Sequence, residues 1–293
     1  MKAIMLAAGE GTRCYPFTYL SPKLFQQVGG IPLLEYMLSW FGRTPEIEKL
    51  YIVARKDSTV ETLKNYVQNR RPYLTEIVDL FSRLGFKLEY VNPDFKIEVI
   101  GANGWGTGGD LRLAIKQITS IDELEEDFLV CNADYIITRR LPDGKLSPQL
   151  DLSDIISYHR NCKAALDTVM TVALITVERE AATSFGVAQL EQARGFTLVH
   201  GFVEKPDIKH IPEKPSINAG VYVIDSDFVL SNIDEFLPYK PNTNLERTLL
   251  ERLAKDKKPR LAAYLLDLCA WFDVGTSEQL IDVNLYIASK KGV

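Results

Sequence analysis

Short apolar runs alternate along the chain with longer stretches of helical spacing, and this alternation sets the expected architecture. The first run, Lys2–Leu6, reads as a buried strand, and a loop of small residues follows from Ala7 to Pro16. Leu33–Phe41 reads as a helix and Leu50–Ala54 as the next strand. Asp57 or Ser58 is placed to cap a helix running to about Asn69, and Tyr73–Leu84 reads as a second helix stopped by Gly85. The pattern then gives a strand over Lys87–Val91, a helix over Leu111–Gln117 and a strand over Asp127–Cys131 that ends on Asn132-Ala133-Asp134.

The second half changes character. Ala165–Val177, Phe185–Leu190, Thr197–Val203 and Ile217–Ile224 are β-rich with few helices between them, which suggests antiparallel strands appended to a parallel sheet. Leu245–Ala254 reads as a helix, Arg260–Leu265 as a strand and Ser277–Ser289 as a closing helix. Leu141–Gly144 and Lys205–Pro215 read as surface loops. The expectation is one α/β domain over 1–293, a Rossmann-like open mixed and mainly parallel sheet flanked by helices, with no repeat or linker.

Composition narrows the function classes. The net charge of −5 gives no global positive field, so nucleic acid is not an expected partner, although a local cation cluster would still serve a phosphate substrate. Cys14, Cys131, Cys162 and Cys269 lie far apart and, with His159, His200 and His210, show no zinc-ligand spacing. They read as reduced thiols of a cytoplasmic protein. No apolar run reaches the roughly 18–20 residues of a membrane span, and no signal peptide is expected at the N-terminus.

The strongest chemical signal is Leu6-Ala7-Ala8-Gly9-Glu10-Gly11-Thr12-Arg13, continuing to Pro16, Thr18, Pro22 and Lys23. Small residues at the end of a buried strand let backbone N–H groups approach a ligand, and Arg13 and Lys23 add the positive charge a polyphosphate requires. The segment has neither the Walker A nor the GxGxxG spacing. It matches the string LAAGxGTRxxPxTxxxPK, and through it the chain resembles the sugar-phosphate nucleotidyltransferases, which include glucose-1-phosphate thymidylyltransferases and mannose-1-phosphate guanylyltransferases.

Further elements occur in the family's order. They are Gly106-Thr107-Gly108-Gly109, Asn132-Ala133-Asp134, Phe185-Gly186-Val187, Glu204-Lys205-Pro206, Asn218-Ala219-Gly220 and Trp271-Phe272-Asp273-Val274-Gly275-Thr276. The resemblance implies that Leu6, Ala7, Ala8, Gly9, Gly11, Thr12, Arg13, Gly106 and Thr107 bind the nucleotide, with Arg13, Lys23 and Lys205 catalytic. It implies that Gly186, Glu204, Lys205 and Asn218 hold the sugar phosphate and that Asp134 and Asp273 share a Mg²⁺ ion. It also implies a fold similar to GT-A enzymes, with a nucleotide-binding part over about 1–135 and a smaller antiparallel sugar-binding lobe over about 136–293. A nucleoside triphosphate and a sugar 1-phosphate are the implied substrates, and a homo-oligomer is the implied assembly. Ala133 stands where the family usually has glycine.

Two points stay open. A second Glu-Lys-Pro, Glu213-Lys214-Pro215, competes with Glu204-Lys205-Pro206, which is preferred because a β-run leads into it. Gly106–Gly109 resembles both a guanylyl and a cytidylyl pattern, so base and sugar are not assigned. The alternatives are a cytidylyltransferase acting on a non-sugar phosphate such as phosphocholine, and a non-catalytic regulatory subunit that senses sugar nucleotides. No hexapeptide repeat appears, so a C-terminal β-helix domain is not expected.

Overall fold

Ala3 and Met5 bury into one hydrophobic cluster and Ile4 and Leu6 into another, so the first strand needs a packed layer on each side. The computed structural model supplies both layers. It describes residues 1–290 apart from positions 20, 93, 122, 123, 125, 143, 144 and 259. Part of the Leu141–Gly144 loop therefore lies outside the described residues.

The longer strands are β1 Lys2–Ala7, β2 Lys49–Arg55, β3 Lys96–Ala102, β4 Phe128–Asn132, β5 Tyr135–Arg140, β6 Met170–Thr176, β7 Gly186–Ala193, β8 Phe196–Glu204, β9 Ser216–Ile224, β10 Leu261–Leu265 and β11 Cys269–Asp273. Among the described residues, nine of them form one sheet in the order β7-β8-β10-β6-β9-β4-β1-β2-β3. The run β4-β1-β2-β3 is parallel. Beyond β4 the pairings are antiparallel except β6–β10, so the sheet is more evenly mixed than the sequence pattern suggests. Strands β6 to β10 of the second half join this same sheet.

Strand β9 bends in its middle. Its register shifts between Asn218 and Tyr222, with Gly220 at φ +76°, so residues 221–224 pair with β4 while Ser216 and Ile217 pair with β7. A Cβ on Gly220 would lie 2.6 Å from the Tyr135 ring, which glycine alone avoids.

Helix α1, Leu33–Arg43, packs Leu34, Met37, Trp40 and Phe41 on one face of the sheet. Helices α2, Ser58–Arg70, and α3, Leu74–Arg83, follow β2, and Asp57 caps α2 by accepting from the Thr59 N–H. Helix α4, Thr107–Ile121, covers the opposite face with Leu111, Ala114, Ile115 and Ile118.

Three expectations need correction. Lys87–Val91 is not a strand: the Glu89 backbone bonds the Gln149 side chain and Val91 N–H donates to Gly42, so these groups have no need of a ladder. The third parallel strand is β3, which the pattern did not single out. The β-run placed over Ala165–Val177 begins only at Met170, because Leu152–Leu166 is a helix, α5, capped by Asp151. The closing helix, α6, is Ser277–Lys290.

Strands β5 and β11 pair antiparallel outside the main sheet, with Asp273 opposite Tyr135. This ribbon starts directly after β4 and delivers the chain's last strand to the end of the parallel run.

Candidate active site

The phosphate loop leaves β1 at the carboxyl edge of the parallel strands. Gly11 adopts φ +69° and its carbonyl accepts from Thr18 Oγ1 at 2.6 Å, which folds Thr12–Cys14 into a single tight turn. The buried Cys14 thiol donates to Gly275 O at 3.1 Å, and Ser277 Oγ donates to Tyr15 O at 2.8 Å. These bonds clamp the loop against the segment that follows Asp273. Leu6, Ala7, Gly9, Gly11, Thr12, Arg13 and Lys23 line a cleft of about 430 Å³, together with Asn132, Asp134 and Thr107. Arg55, which the sequence reading did not assign, also lines it and bridges Glu10 at 3.0 Å and Asp57 at 2.6 Å.

A second cavity of about 230 Å³ adjoins the first and shares Arg13, Thr107, Asn132 and Asp134 with it. Its far wall carries Gly186, Glu204, Lys205, Asn218, Glu246 and Asp273. Residues assigned to two different substrates thus line two joined chambers.

Asp134 lines both chambers and Asp273 lines the second, and the two reach the site from different elements. Asp134 follows β4, whereas Asp273 ends β11 and reaches the site through its ribbon with β5. Val274 N–H donates to Asp134 O at 2.9 Å, which locks the two turns together. Lys23 Nζ stands 3.6 Å from Asp134 Oδ2. Asp273 Oδ1 accepts from Gly275 N–H at 2.7 Å and Oδ2 from Gln279 Nε2 at 3.1 Å. Burial, then the charge of Asp134, push the Asp273 carboxyl above the usual range, with Lys23 opposing. Two carboxylates that retain lone pairs and lack a full countercharge suit Mg²⁺, which takes one or two carboxylates plus phosphate and water.

On the other side, Lys205 N–H donates to Phe185 O at 3.0 Å and the residue takes φ +51°, fixing the turn at the end of β8. Glu213 and Lys214 are exposed and line neither chamber. A Cβ on Gly186 would lie 2.2 Å from the Phe202 ring and 2.8 Å from Glu204 Oε2. The glycine is therefore required first by these neighbours, before any sugar. Asn218 lines the cavity with its amide positioned by two internal bonds: Nδ2 donates to Tyr222 Oη at 2.6 Å and Oδ1 accepts from Gly220 N–H at 2.9 Å, leaving one N–H and one lone pair.

Two residues of the implied nucleotide set do not line either chamber. Ala8 is buried in the cluster of Ile4 and Leu6 and does not line the cleft. Gly106 is packed against Thr243, whose carbonyl would lie 2.6 Å from its Cβ and which also accepts from the Gly108 and Gly109 N–H groups. Of that motif only Thr107 faces the chambers.

Glu246 was overlooked within a helical run. It opens a π-helical turn, Glu246–Leu250, and is buried at the cavity wall. Its register relative to Leu249 and Leu250 was a visible signal, since a charge three and four residues before buried leucines sits on the apolar face.

Residues 2–290 match the nucleotidyl transferase family along nearly the whole chain. The chain belongs to that family. Among curated nucleotidyl transferases, a probable mannose-1-phosphate guanylyltransferase 3 of Oryza sativa subsp. japonica is 27% identical over 290 residues, covering 99% of this chain and 65% of that protein. A UTP–glucose-1-phosphate uridylyltransferase of Synechocystis sp. is 25% identical over 276 residues, covering 94% of this chain and 60% of its own length. The chain thus spans less than two thirds of these relatives. Among solved structures, a UDP-glucose pyrophosphorylase complexed with UDP-glucose superposes with TM-score 0.70 at 21% identity, covering 99% of this chain and 98% of the other. At that identity the likeness establishes the α/β nucleotidyltransferase fold.

Proposed function

We propose that this protein joins a nucleoside triphosphate to a sugar 1-phosphate, giving a nucleoside diphosphate sugar and pyrophosphate. The observation that carries this reading is Asp134, which lines both of two adjoining chambers, with Asp273 on the wall of the second; one chamber is walled by the phosphate loop and the other by Glu204 and Lys205. The similarity to curated guanylyl- and uridylyltransferases supports it. The mixed sheet with its phosphate loop supports a GT-A-like arrangement, and four unpaired cysteines suit a reducing, cytoplasmic setting.

In this reading the triphosphate lies along the phosphate loop and the sugar ring in the smaller chamber. An oxygen of the sugar phosphate attacks the α-phosphorus in line, and the bond to the pyrophosphate oxygen breaks. The attacking oxygen is already anionic, so no protein nucleophile or general base is needed. Arg13, facing both chambers, stabilises charge on the departing pyrophosphate. Lys23, held near Asp134, and Lys205, fixed by its turn, align the two phosphates. Asp134 and Asp273 would hold Mg²⁺, which supplies charge neutralisation on the triphosphate when bound.

The test is a matrix of five nucleoside triphosphates against several sugar 1-phosphates, read by pyrophosphate release with Mg²⁺. Release is expected only when both substrates are present. Equal release without sugar phosphate would indicate a hydrolase, and silence across the matrix would indicate a binding subunit.

A further inference from the structure

Cys14 is a buried thiol in the tight turn of the phosphate loop, and the steps above do not use it. It lines neither chamber, and the string that identifies the loop leaves its position free. Its Sγ lies 3.1 Å from Gly275 O and 3.4 Å from Val274 O, so the thiol hydrogen has two carbonyls in reach, Gly275 the nearer. Burial pushes the thiol up and outweighs the opposing charges of Lys23 and Arg13, so the group stays protonated and can donate.

Gly275 is where the loop's cation and the acidic pair come together. A Cβ on it would lie 2.7 Å from Asp273 Oδ1 and 3.4 Å from Arg13 Nη2, so both side chains rest against its bare backbone. Its N–H donates to Asp273 Oδ1 at 2.7 Å, while its carbonyl accepts from Cys14. Arg13 directly precedes Cys14 within the three-residue turn Thr12–Cys14. Holding one residue of so short a turn also sets the direction in which its neighbour leaves the chain. The bond from Ser277 Oγ to Tyr15 O ties the same two segments at a more exposed point.

We infer that Cys14 is a positioning residue for the transfer step: by holding the Gly275 carbonyl, its thiol fixes where Arg13 stands relative to Asp273. Cys14 touches neither substrate and acts through Arg13. The inference rests on the nucleotidyl transfer reading and adds a residue to it. Displacing a group by about 1 Å can cost roughly a hundredfold in rate. One slackened tie, with the Ser277 bond still in place, should cost less, about three- to tenfold, the scale of a neutral hydrogen bond.

The experiment compares Cys14→Ala with Cys14→Ser, each alone and combined with Arg13→Ala. Alanine and serine fill nearly the same volume and only serine keeps a donor, so a packing role would affect both alike. The readouts are kcat, the KM for each substrate and, without metal or turnover, calorimetric affinity for inorganic pyrophosphate. Cys14→Ala is expected to lose about three- to tenfold in kcat and a similar factor in pyrophosphate affinity, with the KM for sugar 1-phosphate within about twofold. Cys14→Ser should recover most of both losses. In the Arg13→Ala background, Cys14→Ala should cost less than about twofold, because the group it positions is gone. Equal losses for alanine and serine, no loss for alanine, or fully multiplicative losses in the double variant each overturn the inference. Should Cys14→Ala not fold, Cys14→Val replaces it, filling the site without a donor, and the same comparison with serine decides. A protein that releases no pyrophosphate from any substrate pair, yet shows the expected pattern in pyrophosphate affinity, fails the transfer reading alone. Absence of both turnover and pyrophosphate binding overturns both.

Discussion

Val274 N–H donates to the carbonyl of Asp134 at 2.9 Å, and this bond sets Asp273 beside Asp134 across 139 residues of sequence, from 134 to 273. The two carboxylates should therefore act as one unit. Asp134→Asn and Asp273→Asn are each expected to lower kcat by roughly a hundredfold or more and to weaken its Mg²⁺ dependence. The double variant should be little worse than the worse single. Magnesium titrations of pyrophosphate release check this, and fully multiplicative losses would separate the pair.

Arg13 is exposed at the mouth of both chambers, so its removal should spare the fold. Arg13→Ala is expected to reduce kcat by roughly a hundred- to a thousandfold, the usual cost of about 2.7–4 kcal/mol for one transition-state contact. Steady-state kinetics alongside a thermal melt would show it. A near-normal kcat removes Arg13 from the mechanism.

The two Glu-Lys-Pro copies differ in placement, since Lys205 lines the sugar-side cavity and Lys214 lines neither chamber. Lys205→Ala should raise the KM for sugar 1-phosphate by at least tenfold with little change for the nucleotide, consistent with a charged hydrogen bond of about 1.5–3 kcal/mol. Lys214→Ala should leave both constants within about twofold. The reverse pattern would move the sugar phosphate to the other loop.

A separate prediction concerns stability. Asp127 lies 2.7 Å from Lys163 Nζ and 3.3 Å from His159 Nε2, and Lys163 also reaches Asp225 at 2.9 Å. Burial alone would push the Asp127 carboxyl up, but the bonds to His159 and Lys163 outweigh it and hold the group below the usual range. A carboxylate lowered in the folded state stabilises fully above its unfolded value of about 3.9, and that contribution is lost as pH falls through the lower folded value. Asp127→Asn should cost about 1–3 kcal/mol at neutral pH. In urea titrations the gap to wild type should shrink below about pH 4, and a pH-independent gap would count against the charge.

The sequence showed most of what its local rules could carry. The phosphate loop announced itself because Gly11, Thr12 and Arg13 lie within one short segment that leaves a buried strand. Helix α5 was also within reach, since Ile155, Ile156, His159 and Cys162 repeat at helical spacing and bury together. Strands β5 and β11 were harder, because each is short and they pair with each other across more than a hundred residues, β5 having besides, among the described residues, only Leu146–Ser147. The fate of the Gly108 and Gly109 N–H groups was not legible at all. It depends on a carbonyl at Thr243 that nothing in their own neighbourhood foretells.

The β5–β11 ribbon also bears on how a growing chain acquires its chemistry. Strands β1 to β4 and the phosphate loop are complete once residue 132 has been made, but the partner of Asp134 is not synthesised until residue 273. A chain that stops short of β11 lacks half of the acidic pair and also the Gly275 and Ser277 contacts that clamp the phosphate loop. Long-range closure of this kind is also slow to form, because the loop entropy must be paid before the contact rewards it. In the proposed reaction, the two carboxylates would therefore come together only in a polypeptide translated through β11.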